Sequence, residues 1–257
     1  MITWQGFESA FKFLQLFEEG LVCTIALSLF TVIFGFILAL VLAVMRMSSF
    51  RPFLFLKYNK EGIKRRGILG ALSRFRPLRL IASIYVEVFR ATPLIVQLFL
   101  VYYVLLAGVQ LPSFKLFGFI RFERFIPGVI ALSLNSAAYL SEIIRSGIQS
   151  IDQGQTEAAR SLGMSQVQNM VHIVLPQAIK NILPAIANEF VTIIKESSIC
   201  WTIGVQEIMS AVNAVKAATY TCGEALIIAA CVYFCLTYPT SKVIAYFERR
   251  MSRGDRR

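Results

Sequence analysis

The feature that most restricts the fold of this chain is a run of 26 residues without a charged side chain, Gly20–Met45. A helix of about 20 apolar residues crosses the hydrocarbon core of a bilayer. This run is therefore long enough to span a membrane with some tilt, and it is longer than the apolar core of a cleavable signal peptide. The segment before it is acidic (Glu8, Glu18 and Glu19) rather than basic, which also argues against a signal peptide.

The composition of the whole chain extends this argument. Hydrophobic residues make up 56% of the 257 residues and charged residues only 16%, whereas soluble domains contain about 45–50% apolar and about 25% charged residues. This excludes a disordered chain, a disulfide-rich miniprotein and a typical water-soluble enzyme. The sequence predicts an all-α integral membrane protein.

Four more apolar segments follow, and one of them is broken near Pro93. They suggest a single transmembrane domain over residues 1–257 with five transmembrane helices. The predicted spans are Gly20–Met45, Leu80–Ala107, Phe125–Ile144, Ile182–Ile203 and Ala225–Ala245.

The basic residues predict the orientation. Of the 26 Lys and Arg residues, 19 lie on one side of these spans and five on the other, and Arg90 and Lys195 fall within spans. Because loops rich in Lys and Arg stay in the cytoplasm, we expect the N-terminus outside and the C-terminus in the cytoplasm.

Ten of those basic residues lie in the connector 46–79 between the first two spans. Two interpretations of its segment Ser48–Arg79 remain open. It forms a solvated cytoplasmic loop, or it forms a helix lying on anionic lipid headgroups.

A second distinctive segment, Glu157–Pro176, lies in the cytoplasmic loop 152–176. Its pattern predicts two short helices joined at Gly163, which takes the left-handed conformation that ends a helix. Ser165 and Gln168 have the spacing of a capping box that starts the next helix, and we expect Pro176 to stop or kink it. By physical reasoning alone, the hairpin either docks a partner or packs on its own protein.

This segment resembles the EAA loop of ABC importer permeases, in which a coupling helix docks into the cytoplasmic ATPase. The resemblance implies that the same hairpin, including Arg160, contacts an ATPase here. The matching residues are Glu157, Ala158, Ala159, Gly163, Ile173, Leu175 and Pro176.

Three further stretches resemble the permeases for polar amino acids: Tyr85–Tyr103, Ser136–Gly163 and Lys195–Ile208. The similarity extends over roughly Gly20–Glu248, with mild departures at Ala91 and Ser198 and a longer connector. It implies a type I ABC importer permease fold in a bacterial cytoplasmic membrane. The implied partners are ABC ATPase subunits, a second permease chain (identical or homologous), an extracytoplasmic substrate-binding protein, membrane lipid and an amino acid substrate, without nucleic acid. No cofactor is implied on this chain, since ATP and Mg would bind the partner ATPase.

Polar and ionisable residues within spans are the candidates for a substrate path, because a desolvated amino acid needs partners for both of its charges. An alternative role is structural, since Glu87 and Arg90, like Glu142 and Arg145, have the spacing of ion pairs within one helix. The candidates are Glu87, Arg90, Thr92, Gln97, Asn135, Ser136, Tyr139, Glu142, Glu189, Ser197 and Ser198.

The motifs of common enzymes are missing from the sequence. It contains no phosphate-binding G-x-x-x-x-G-K-[ST] loop, and its one His is His172. Its five Cys form no C-x-x-C pair, and the sequence does not decide whether Cys200 and Cys222 form a disulfide. We therefore expect a transport subunit and not an enzyme. The main alternative is an ion-coupled secondary amino acid transporter or channel with Glu142, Glu189 or Glu196 as a proton relay, and another is a membrane scaffold that docks proteins through Ser48–Arg79.

Overall fold

The computed structural model describes residues 2–53, 57 and 73–252, and these are helical almost throughout. Most of the basic connector 46–79, for which the sequence predicts either a solvated loop or a helix on lipid headgroups, lies outside the described residues. The described helices are α1 Trp4–Phe11, α2 Leu14–Met47, α3 Pro77–Ala91, α4 Leu94–Leu100, α5 Phe122–Gln149, α6 Gln153–Ser161, α7 Gln166–Asn169, α8 Leu175–Glu196, α9 Ile208–Thr219 and α10 Gly223–Ser252. Two π-helical turns (Val101–Leu105 and Met170–Val174), a 3-10 segment (Ser197–Ile203) and the strands β1 Lys115–Leu116 and β2 Ile120–Arg121 complete the described elements.

Four described helical segments are long and apolar enough to cross a membrane, and the bent pair α3–α4 makes a fifth if it counts as one span. This agrees with the predicted helical membrane fold. The four segments are Leu14–Met47, Phe122–Gln149, Gln166–Ile203 and Gly223–Met251. Each is longer than the predicted apolar run that it contains.

Helix α5 is the centre of the bundle. Of its most apolar stretch, 67% is buried within the chain, compared with 33% for α2 and 11% for α10. It packs against α2, α3, α4 and α8. Small buried residues such as Gly128, Ala131, Ala137 and Ala138 allow these helices to approach closely.

The second predicted span is sharply bent. Helices α3 and α4 meet at an angle of 112°. Thr92 is extended (φ −108°, ψ 145°) and Pro93 has φ −64°, because the proline ring fixes its own φ and disfavours a helical residue before it. The predicted break near Pro93 is therefore present. Helix α4 does not continue along the axis of α3 but runs across it.

Two described helices and one pair of strands had no counterpart in the sequence prediction. Helix α1 packs against the start of α10, where Thr3 N donates to Glu224 Oε1 at 2.9 Å. Helix α9 packs against α2 and α10. The antiparallel pair β1–β2 precedes α5 and is a small exception to the all-α prediction. Cys200 and Cys222 are free thiols, so the disulfide left open by the sequence does not form.

Candidate functional site: a helical hairpin and three polar clusters on the central helix

The hairpin that follows α5 begins and ends its first helix by local side-chain and backbone chemistry. Asp152 caps α6 by accepting a hydrogen bond from Gly154 N at 2.8 Å. At the other end Gly163 has φ +81°, and Met164 N donates to Ala159 O at 3.1 Å across the turn. A residue with a side chain is strained at this φ, so the glycine allows the reversal.

The second helix of the hairpin starts with the predicted capping box. Ser165 N donates to Gln168 Oε1 at 2.8 Å, and Gln168 N donates to Ser165 Oγ at 3.3 Å. Of the two outcomes predicted for Pro176, a stop or a kink, the stop does not occur, since the helical segment runs from Gln166 to Ile203. The π-helical turn Met170–Val174 comes directly before α8, and such a wider turn accommodates a proline in the first turn that follows it.

The two arms of the hairpin contact each other, and its tip is exposed. Asn169 Nδ2 donates to Thr156 Oγ1 at 3.2 Å, and Ala159 is buried between the arms. By contrast, Leu162 and Val167 are 83% and 71% exposed. The remaining coupling candidates, Glu157, Ala158, Arg160, Gly163, Leu175 and Pro176, also lie on the exposed surface.

Three of the predicted path residues form one network at the helix break. Asn135 Nδ2 on α5 donates to Gln97 Oε1 at 2.8 Å. Gln97 Nε2 lies 2.8 Å from Phe89 O, 3.0 Å from Thr92 O and 2.7 Å from Thr92 Oγ1. Gln97 and Asn135 are only 6% and 5% exposed. The network therefore joins α3, α4 and α5 at the point where α3 ends.

A second cluster lies between α5 and α8. Ser136 is buried and its Oγ donates to Glu189 Oε1 at 3.5 Å. Ser136 also lies against α2, since a methyl group on Gly35 would be 3.4 Å from its Oγ. The two candidates that follow α8 are not part of this cluster. Ser197 Oγ donates to Ile194 O in the preceding turn at 2.8 Å, and Ser198 is half-buried.

The third cluster is a charged triad at the end of α5. Glu142 accepts hydrogen bonds from Arg145, the partner expected from sequence, and also from Arg46 at the end of α2. The corresponding pair on α3 does not form, since Glu87 and Arg90 are exposed and make no ion pair with each other. Arg90 instead lies 5.7 Å from the centre of the Tyr139 ring.

The three clusters follow one another along α5. Asn135 and Ser136 lie about 10 Å along the helix axis from Glu142, given 1.5 Å per residue. Because α5 is the most buried span, it brings polar groups from α2, α4 and α8 to one helix. A single rigid element thus connects the helix break with the hairpin end of the bundle, by which we mean the end where α2 and α5 end and α3 and α8 begin.

Sequence reasoning did not identify Glu207, a carboxyl group that is 0% exposed. It caps α9 by accepting from Ser210 N at 2.9 Å, and it accepts from Tyr233 Oη at 2.8 Å. Burial raises the pKa of the Glu207 carboxyl to about 7, because desolvation outweighs the hydrogen bonds to its charged form. The sequence did offer one signal, because Glu207 directly precedes an apolar helical stretch, where an acidic side chain can cap the helix. No group of three His, Cys, Asp or Glu side chains is arranged for a metal ion in the part of the chain that the structure describes.

Comparison of the sequence with known proteins gives consistent matches. Residues 66–253 match the family described as "Binding-protein-dependent transport system inner membrane component". The chain is 40% identical over 237 residues to the arginine transport system permease protein ArtQ of Bacillus subtilis, covering 92% of this chain and 93% of that protein. It is 36% identical over 233 residues to the putative glutamine transport system permease protein GlnP of Rickettsia conorii, covering 91% of each.

Two solved structures share the architecture. The crystal structure of an amino acid ABC transporter with histidines superposes with a TM-score of 0.79 at 39% identity, covering 97% of this chain and 100% of that chain. An inward-facing structure of the MetNI methionine ABC transporter superposes with a TM-score of 0.59 at 16% identity, covering 91% and 96% of the two chains. At that identity the second likeness indicates a common fold alone.

Proposed function

We propose a transport mechanism for this chain from one premise: it belongs to the family of binding-protein-dependent transport system inner membrane components, and it is the permease subunit of an amino acid ABC importer. In this proposal the chain translocates a polar or charged amino acid that an extracytoplasmic binding protein delivers. A separate ATPase supplies the energy and binds ATP and Mg. The chain is a multi-pass inner-membrane protein, and we propose that its hairpin end faces the cytoplasm, as the distribution of Lys and Arg favours.

The observation that carries the proposal is the exposed apolar tip of the hairpin. Leu162 and Val167 are large apolar side chains that project outside the bundle, on arms fixed by two caps and by the Asn169–Thr156 hydrogen bond. Exposed apolar patches mark sites of protein–protein interaction, so a partner whose cleft buries this tip would hold the hairpin. Residues Glu157–Gly163 would then carry the motion of the ATPase into α5 and α8, which the hairpin connects.

The polar clusters on α5 support a path for a zwitterionic solute. An amino acid brings an ammonium and a carboxylate, and each must exchange water for protein partners on the way. Ser136 and Glu189 lie between two spans and offer an acceptor for an ammonium group. The Asn135–Gln97 pair lies where α3 ends and α4 turns away, so movement of α4 would open or close the space at that point.

The exposed spans support the pairing of two permease chains. Only 11% of the apolar stretch of α10 and 17% of that of the segment Gln166–Ile203 are buried within this chain. Lipid or a second permease, identical or homologous, must cover these faces. We propose that two permeases enclose the path and that two ATPases act on their hairpins, which switches access between the two sides of the membrane.

The test uses the importer reconstituted with its ATPase and binding protein in liposomes. Leu162→Cys should crosslink to the ATPase, whereas Lys12→Cys at the opposite end of the bundle should not. Glu157→Lys should abolish both amino acid uptake and the stimulation of ATP hydrolysis by loaded binding protein, while the complex stays assembled. Uptake that is driven by a proton gradient without ATP would contradict the proposal and support a secondary transporter.

A further inference from the structure

A cavity at the hairpin end of the bundle is lined by four arginine side chains. It has a volume of about 320 Å³, and its lining includes Arg46, Arg76, Arg79, Arg145 and Gln149. The two other lining side chains are apolar. The residues come from the end of α2, the start of α3 and the C-terminal part of α5, so the cavity lies where two membrane helices end and a third begins.

The charge of this cavity is not balanced within the described residues. Glu142 accepts hydrogen bonds from both Arg46 and Arg145, and no other carboxylate in the described ranges is paired with them. No carboxylate of the described chain lines the cavity itself. Among the residues that the structure describes, four guanidinium groups thus share one neighbouring negative charge, an excess of about three positive charges.

The position of Arg76 and Arg79 makes this excess more unusual. Arg76 immediately precedes α3 and Arg79 lies in its first turn. The N-terminus of a helix carries a partial positive charge, so acidic residues are favoured there and basic residues are disfavoured. An anion in the cavity would relieve the repulsion among the arginines and would also face the N-terminus of α3.

We propose that this cavity binds the phosphate group of an anionic phospholipid from the adjacent leaflet. Guanidinium groups bind phosphate oxygens in pairs of parallel hydrogen bonds, and the arginines come from three different helices around one space. The volume lies at the small end of the range for ligand pockets. A free phosphate has the same chemistry, but apolar side chains favour a ligand with acyl chains. Met47 and Ile148 line the cavity. Phe75 and Leu80, each next to a lining arginine in the sequence, are exposed.

The test is native mass spectrometry of the purified importer complex after equilibration with mixed phosphatidylglycerol and phosphatidylcholine. The wild type should retain phosphatidylglycerol, and Arg76→Gln/Arg79→Gln should retain about 30-fold less, as expected for the loss of two basic contacts to an anionic lipid. The matched control is Arg51→Gln/Arg74→Gln, which removes two charges from the same end of the bundle outside the cavity lining. It should retain as much lipid as the wild type.

Two results would overturn the proposal. The first is equal retention of phosphatidylglycerol by both double variants. The second is complete displacement of the lipid by millimolar inorganic phosphate, which would assign the cavity to a soluble anion. If the glutamine variant does not assemble, Arg76→Lys/Arg79→Lys takes its place, since it keeps the charge, loses the paired hydrogen bonds and should still retain less lipid than the control.

Discussion

Asn135 donates its side-chain amide to Gln97 Oε1 at 2.8 Å, so the central helix α5 holds the short helix that follows the break at Pro93. Gln97 in turn donates to Phe89 O and Thr92 O at the end of α3. One buried pair of amides therefore joins three helices. The bend between α3 and α4 is held by side chains where the backbone hydrogen bonds of a continuous helix are interrupted.

Removal of the Asn135 amide should weaken this junction. In Asn135→Leu the buried Gln97 Oε1 loses its partner, which costs about 1–3 kcal/mol, so both the apparent melting temperature and amino acid uptake should fall. The double variant Asn135→Leu/Gln97→Leu should cost less than the sum of the two single variants. Thr237→Val is the control, since the Thr237 hydroxyl donates to Tyr233 O within α10. Additive losses in melting temperature would show that the two amides act independently.

Neutralisation of Glu142 should destabilise the hairpin end of the bundle. Glu142→Gln leaves Arg46 and Arg145 without their common carboxylate. Because these side chains are 15–30% exposed, we expect a cost on the order of 1–2 kcal/mol, between those of exposed and buried pairs. Uptake and melting temperature should fall more than in Glu87→Gln, whose carboxylate is exposed and not paired with Arg90. Equal behaviour of the two variants would refute a structural role for the triad.

A side chain at the turn of the hairpin should impair coupling. Gly163 has φ +81° and open space around its Cα, so Gly163→Ala creates backbone strain of about 1–2 kcal/mol without a steric clash. Stimulation of ATP hydrolysis by loaded binding protein should decrease. Gly154→Ala lies in the first turn of the same hairpin helix, where an added methyl meets only ordinary contacts, and stimulation should stay normal. An equal loss in both variants would mean that the turn conformation is not the cause.

The buried Glu207 carboxyl should make stability depend on pH. Its pKa is raised to about 7, while the same group in the unfolded chain loses its proton near its ordinary pKa. The folded state is therefore favoured below the ordinary pKa, and this advantage is lost as the pH rises through about 7. The apparent melting temperature of Glu207→Gln minus that of the wild type should increase from pH 5 to pH 8, because only the wild type loses stability as the carboxyl becomes charged. A difference that is constant with pH would show that Glu207 does not titrate in this window.

Local features of the chain were predictable because neighbouring residues decide them. The run Gly20–Met45 is long and apolar enough to define a span, and Gly163 with Ser165 and Gln168 define a turn and a cap within a few residues. Each of these depends on helix chemistry that repeats in every protein. The proline break was predictable for the same reason.

Features that depend on distant residues were not predictable. Arg46 and Glu142 are separated by 96 positions and meet only because α2 packs along α5. Glu207 becomes buried only when α9 packs under α2 and α10, and its sequence context gives no sign of Tyr233 as a partner. Thr92, Gln97 and Asn135 were predicted as polar residues of a path, but their hydrogen bonds to one another come from the 112° bend.

The bend also limits the thickness of hydrocarbon that α3 can cross. Helix α3 has 15 residues and rises about 22 Å, whereas the hydrocarbon layer is about 30 Å thick. Helix α3 is therefore too short to cross this layer as one straight helix, and the 112° bend turns α4 away from the axis of α3. The rest of the barrier to ions at this place must then come from α4, which has seven residues, and from α5, against which α4 packs.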